Sequence, residues 1–291
     1  MPMQPDSALT RSPETRCPES PADGLAVTAR PIRVLLHPDD VLFFLHIPKT
    51  GGNSLTSILD AHFAPWEIFP FHFTREAQNQ FHALSPARLR SYRLVRGHYP
   101  FGPYSQLWKH MVQNPICLTM LRDPVFRTIS QYRQIIRNPA DSAHKEVTSQ
   151  RLSLEAFVCH PRHHHNVVNH QVRRLVGSVR GASQGYEDPN ALCHEALLVL
   201  AKQRLEQFAF VGLTERFRES VDLLTYTFGW DPVAEIPVLN AAPDPSSREA
   251  IPAPALDAIT QRTRLDAQLY AYATELFEAR LNRMKESSAH S

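Results

Sequence analysis

Short apolar runs alternate along this chain with stretches of helical periodicity, and that alternation predicts the architecture. The run Val41–Leu45 leads into Pro48-Lys49-Thr50-Gly51-Gly52-Asn53-Ser54, after which apolar residues recur at Leu55, Ile58, Leu59 and Phe63. This reads as a strand, a glycine turn and an amphipathic helix. A second buried-strand pattern, ICLTML at 116–121, is followed by a helical stretch, VFRTISQYRQII. Leu94–Arg96 reads as a short strand entering a loop, and 208–213 as a strand between helices over 191–206 and 215–228. The segment 31–37 (PIRVLLH) predicts a short edge strand. TSQRLSLEAFVCH predicts one amphipathic helix with Leu152, Phe157 and Val158 inward. Residues 178–190 read as a surface loop, 231–253 as irregular, and 254–285 as a closing helix pair or one long helix. Strands alternating with helices predict an α/β fold with a parallel central sheet flanked by helices on both faces. Residues 1–30, rich in Pro, Ser and Arg and without a hydrophobic period, read as a disordered tail. The expectation is a single domain over 31–285 and a short C-terminal tail, 286–291.

Composition narrows this picture only a little. With 43% hydrophobic residues in 291, the chain can bury one large core. A net charge of +2 gives no global field for nucleic acid, so basic residues matter locally. The four cysteines, Cys17, Cys117, Cys159 and Cys193, are scattered without a C-x-x-C pair and read as reduced thiols. No run approaches the roughly 18 apolar residues of a membrane span, and the N-terminus lacks the apolar core of a signal peptide.

The chemistry lies in the first turn. A strand, a glycine turn and a helix start aim backbone N–H groups and the positive end of a helix dipole at one point, which suits a phosphate. The order differs from the nucleotide-triphosphatase loop, G-x-x-x-x-G-K-[ST], because Lys49 precedes Gly51 and Gly52. No apolar run closing on an aspartate follows to hold a metal. Strand 116–121 ends instead in Arg122-Asp123-Pro124, with Ser130 eight residues beyond Arg122 in the following helix. A cation and a hydroxyl so placed suit a second phosphate. Two phosphate sites without a metal site point away from ATP hydrolysis.

HIPKTGGNSL (46–55) and LRDPVFRTISQYR (121–133) together resemble the PAPS-dependent sulfotransferases, in particular the heparan sulfate 2-O-sulfotransferase and bacterial carbohydrate-sulfotransferase branch. RGHYPFG (96–102), NHQVRRLVG (169–177) and FVGLTERFRESVDLL (210–224) are weaker matches in family order. The resemblance covers about residues 40–285 and implies a P-loop-like sulfotransferase fold. One departure is Asn53, where the family usually has Thr or Ser; an amide still donates to phosphate. The resemblance further implies that Lys49, Thr50, Gly51, Gly52, Asn53 and Ser54 hold the 5′-phosphosulfate of PAPS. Lys49 would assist the leaving phosphate, and Arg122 with Ser130 would take the 3′-phosphate. The acceptor would be a hydroxyl on a carbohydrate, with no metal required. Members of the Golgi carry an N-terminal anchor that is not seen here, so a soluble, cytoplasmic, bacterial enzyme is expected.

The base is the open point. A histidine of near-neutral pKa suits a hydroxyl acceptor, and His98 follows a predicted strand on a glycine-bearing loop, where open α/β sheets place reactive groups. It also matches the base of the 2-O branch. His62, His72 and the carboxylate Glu67 are rivals, and His46 is expected to pack under the loop. His160, His163, His164, His165 and His170 lack a regular metal-ligand spacing and read as a basic or solvent-facing segment. Asn169 and Gln171 fall near the acceptor region by resemblance, while Arg173 and Arg174 suit either an anionic sugar or a helix-face ion pair. Two other classes stay open: a Mg²⁺-dependent kinase on the same architecture, and a nucleotide-binding module without turnover.

Overall fold

The computed structural model describes residues 33–70, 84–98, 115–177, 179–180, 186–187, 194–236 and 248–289. The expected tail (1–30), His72, and the aromatic residues Phe71, Phe73, Tyr99, Phe101 and Tyr104 lie outside them. In chain order, β1 (Leu42–Leu45), α1 (Gly52–Asp60) and a 3-10 turn (Pro65–Glu67) come first. α2 (Pro86–Arg90), β2 (Leu94–Gly97), β3 (Ile116–Leu121) and α3 (Pro124–Arg137) follow. The middle of the chain is helical: α4 (His144–Ser149), α5 (Leu154–Cys159), α6 (His164–Val167) and α7 (His170–Val176). Then come β4 (Val179–Arg180), β5 (Tyr186–Glu187), α8 (His194–Gln207), β6 (Phe210–Leu213), α9 (Phe217–Phe228), α10 (Ala253–Arg262) and α11 (Arg264–Ala289).

The central sheet runs β2-β1-β3-β6, and every neighbouring pair is parallel. Parallel strands must be covered on both faces, and the sequence obliges: all four residues of β1 and all four of β6 are buried. Burying Phe43 and Phe44 contributes about 1.5–3 kcal/mol each. α1 turns Ser54, Leu55, Ile58 and Leu59 inward, the spacing its sequence predicts. A second apolar cluster joins Val125 and Ile129 of α3 to Val147, Phe157, Val158, Val167 and Ile259, under the helical middle of the chain.

Four details depart from the sequence reading. Residues 33–37 form no strand, although Val34 N–H donates to Thr227 O at 2.7 Å. The single helix expected over 148–160 is broken: α4 ends at Ser149, Arg151 takes φ 49°, and Ser153 starts α5. The Ser153 hydroxyl accepts the Ala156 N–H at 3.1 Å, so a good N-cap restarts the helix and wins over continuity. Within the loop expected over 178–190, Val179 pairs with Glu187 and Arg180 with Tyr186, antiparallel. At the end of the chain α11 continues to Ala289, past the tail boundary expected at 286, and Thr263 separates it from α10.

Chain order and strand order together define where a ligand fits. From β1 the chain passes to β2 on one side; β3 lies on the other and leads on to β6. The carboxyl ends of β1 and β3 therefore flank a topological switch point, where open α/β sheets bind their ligands.

Candidate active site

The β1 end builds the first wall. After Leu45 the chain turns through Pro48-Lys49, and both Lys49 (φ 73°) and Gly51 (φ 75°) take the left-handed conformation. For a lysine this costs about 1–2 kcal/mol, a strain usually kept for function. The Thr50 hydroxyl donates to Ile47 O at 2.9 Å and closes the turn. Gly51 is the N-cap of α1, with no side chain capping the first-turn N–H groups, which leaves the dipole end open to an anion. Asn53 is exposed and Ser54 is buried in the first turn of α1.

Gly52 has a steric reason to be glycine. A Cβ there would stand 2.0 Å from Cδ2 of His46, whose ring lies beneath the loop and stacks on Phe44. Burial, helped by the charges of His98, Lys49 and Arg174, pushes the His46 pKa down to about 3, so it is a neutral spacer under the turn. Gly52→Ala should therefore displace the ring. The melting temperature of this variant should fall, since overpacking costs about 1–3 kcal/mol, and an unchanged midpoint would show that the turn tolerates the shift.

The β3 end builds the second wall. Arg122 stands one residue past the strand, and its Nη1 donates to Lys49 O at 3.0 Å, while Nε lies 3.9 Å from Glu215 Oε1. Asp123 caps α3, with Oδ1 accepting Val125 N–H at 2.9 Å and Phe126 N–H at 3.3 Å, and its other oxygen pairs with Arg248. Arg122 thus pairs with Glu215 and the lysine turn, and the capping falls to Asp123. Lys49 Nζ donates to Gln134 Oε1 at 3.3 Å. Ser130 and Gln134 are four apart on α3 and share a face, so the half-buried Ser130 lies on the side of α3 that meets Lys49.

His98 follows β2 and is exposed. Its Nδ1 lies 2.9 Å from His46 O, and its ring sits 4.2 Å from that of His46. A carbonyl can only accept, so Nδ1 carries the proton in the neutral ring and the lone pair falls on Nε2. Arg174 Nη1 donates to His98 O at 2.9 Å and holds the same residue from its other side. Two of the rivals have other employment. His62 stacks on Trp230 at 3.9 Å, and burial lowers its pKa. Glu67 caps its own turn through the Ala64 N–H at 2.9 Å and lies 3.7 Å from Arg93.

The histidine-rich segment is dispersed. His160 and His163 flank Glu146, His164 meets Arg262 at 2.9 Å, and buried His170 reaches His165 O at 2.8 Å through Nδ1. Among the described residues no group of three His, Cys, Asp or Glu is placed to hold a metal ion. Cys117, half-buried, has its thiol pushed up to about 12 by burial, whereas Cys159 is exposed.

Sequence reasoning missed three supporting side chains. An acid does stand just beyond a strand: Glu215, two residues past β6, accepts the Asp123 N–H at 3.0 Å and the Tyr270 O–H at 2.6 Å, with burial pushing its pKa up. The apolar run closing on Thr-Glu was its signal. Gln134 and Asp266 had none, since each meets its partner only through the fold.

A parallel sheet with a lysine turn and an arginine meeting at its switch point defines an α/β protein with the sulfotransferase architecture. The chain belongs to the galactose-3-O-sulfotransferase family, whose family model matches residues 22–289. It is also 26% identical to heparan-sulfate 6-O-sulfotransferase 2 of Danio rerio, over 82% of this chain and 58% of that protein. It is 26% identical to the Gallus gallus 6-O-sulfotransferase 2 (85% and 69%) and 26% to the Homo sapiens 6-O-sulfotransferase 1 (86% and 69%). The chain thus spans little more than half the length of the Danio rerio relative. A carbohydrate-sulfotransferase family is what the resemblance implied. The narrower 2-O placement is not what these relatives carry, and they are vertebrate proteins, so neither a bacterial origin nor a cytoplasmic location gains support. No described helix is long and apolar enough to cross a membrane.

Proposed function

We propose that this protein transfers a sulfuryl group from PAPS to a hydroxyl of a carbohydrate acceptor. The observation that carries the reading is the hydrogen bond from Arg122 Nη1 to Lys49 O, which joins two cationic loops across the switch point. A donor with phosphates at both ends of a nucleoside needs two such loops at fixed separation.

The residues fit that donor. The glycine turn leaves no Cβ at 51 or 52, so backbone N–H groups from Thr50 to Ser54 would hold the 5′-phosphate. Arg122 would grip the 3′-phosphate through its planar fork, with Ser130 adding a hydroxyl from α3. The donor supplies the sulfuryl group when bound. Lys49 places its ammonium where charge grows on the departing phosphate oxygen as the S–O bond breaks. His98 Nε2 takes the acceptor proton as the new O–S bond forms, and Nδ1–H stays on the His46 carbonyl, which orients the ring. Retained ring geometry and a fixed tautomer are what general-base catalysis requires.

Calorimetry in magnesium-free buffer tests the reading. Wild-type protein should bind 3′-phosphoadenosine 5′-phosphate at micromolar concentration, and Arg122→Ala should lose about 1.5–3 kcal/mol, or roughly ten- to a hundredfold, as charge-assisted hydrogen bonds disappear. A preference for ATP with magnesium would overturn it in favour of a kinase.

A further inference from the structure

Gln171, expected from the resemblance to lie near the acceptor, is turned toward the donor side. It is fully buried on α7. Its side-chain amide spans the main chain of Arg122: Oε1 accepts the Arg122 N–H at 3.0 Å, and Nε2 donates to the Arg122 carbonyl at 2.8 Å. The main-chain N–H and C=O of that residue are thereby both engaged by one side chain, as a neighbouring strand would engage them. Arg122 lies just beyond the last register pair of β3 with β6, Leu121 with Leu213.

The amide itself is anchored. Asp266, buried near the start of α11, accepts the Gln171 N–H at 3.1 Å and the Val172 N–H at 2.9 Å. Asn169, at the left-handed N-cap of α7, donates its N–H to Arg262 O at 3.1 Å and accepts the Leu265 N–H on Oδ1 at 2.9 Å. Arg127, fully buried on α3, supplies the opposing charge for Asp266. Four ties therefore fix the first turn of α7, and Gln171 passes that fixity across to Arg122.

We propose that Gln171 is a positioning residue for the donor's 3′-phosphate, acting by clamping the Arg122 main chain so that the guanidinium is aimed before the donor arrives. This rests on the reading of the switch point as a PAPS site. The guanidinium needs such aiming because a bidentate grip tolerates little rotation. Preorganisation of this kind shows as affinity for one phosphate and not for the other.

The test compares 3′-phosphoadenosine 5′-phosphate with adenosine 5′-phosphate by calorimetry on the full chain, wild type against Gln171→Met and Gln171→Glu, with thermal melts alongside. Met keeps the volume without hydrogen bonds; Glu keeps the acceptor and sets a carboxylate against the Arg122 carbonyl. Both variants should weaken the bisphosphate about tenfold, which is about 1.4 kcal/mol, and leave adenosine 5′-phosphate within twofold. If the wild type binds the two nucleotides equally, the PAPS reading itself fails. If the wild type discriminates and the folded variants discriminate as strongly, Gln171 is not the aiming residue. Equal loss of both nucleotides, or failure of both variants to fold, makes Gln171 a core residue and overturns the proposal as well.

Discussion

Replacing Lys49 by alanine should lower kcat about 10²- to 10³-fold, with donor affinity changed much less. This is one of the two largest effects expected in the molecule, because a cation aimed at developing charge acts in the transition state and contributes on the order of 2.7–4 kcal/mol. Lys49→Gly separates chemistry from architecture. Residue 49 sits at φ 73°, so glycine relieves a strain of about 1–2 kcal/mol even as it removes the ammonium. The glycine variant should therefore melt no lower than wild type and still be as inactive as the alanine variant. A glycine variant with appreciable turnover in a radiolabelled sulfate-transfer assay would falsify the role given to the lysine.

The second large effect concerns His98. His98→Ala should reduce kcat about 10²- to 10⁴-fold, the range for removal of a general base, while the Kd for 3′-phosphoadenosine 5′-phosphate stays within about twofold. The expectation follows from geometry: the His46 carbonyl fixes the proton on Nδ1, and Arg174 holds the backbone of the same residue. His46 cannot substitute, since burial disfavours its protonated form, with a pKa lowered to about 3, and leaves it a poor proton acceptor. Near-normal turnover of His98→Ala at saturating substrate would reassign the base. His62→Ala is the internal comparison and should change kcat little, because His62 packs against Trp230.

What the sequence made legible is what local pattern can encode. The β1–turn–α1 unit, β3 with Arg122 at its end, and the parallel α/β class all rest on apolar periodicity and glycine placement within a dozen residues. The steric lock of Gly52 on the His46 ring is local too, since both lie in one turn. The break between α4 and α5 was missed because the serine cap at 153 competes with a hydrophobic period that runs straight through it. What Gln134, Gln171, Glu215 and Asp266 contact was beyond reach for a different reason. Each is an ordinary polar residue on a helix or turn, and its meaning comes from a partner far along the chain. The branch of the family was likewise illegible from the donor motifs, which carry no statement about which sugar hydroxyl is used.

Those long-range partners carry a thermodynamic corollary. The hydrogen bonds gathered at residues 122 and 123 and behind them span separations of 73, 49, 92 and 95 positions. None survives if the domain comes apart. An anion that bridges the two loops therefore cross-links distant stretches of chain non-covalently. Under the proposed function, mass action would make the nucleotide a global stabiliser, contributing about 2.7 kcal/mol at a hundred times its Kd, and the pocket a keystone as well as a place for chemistry.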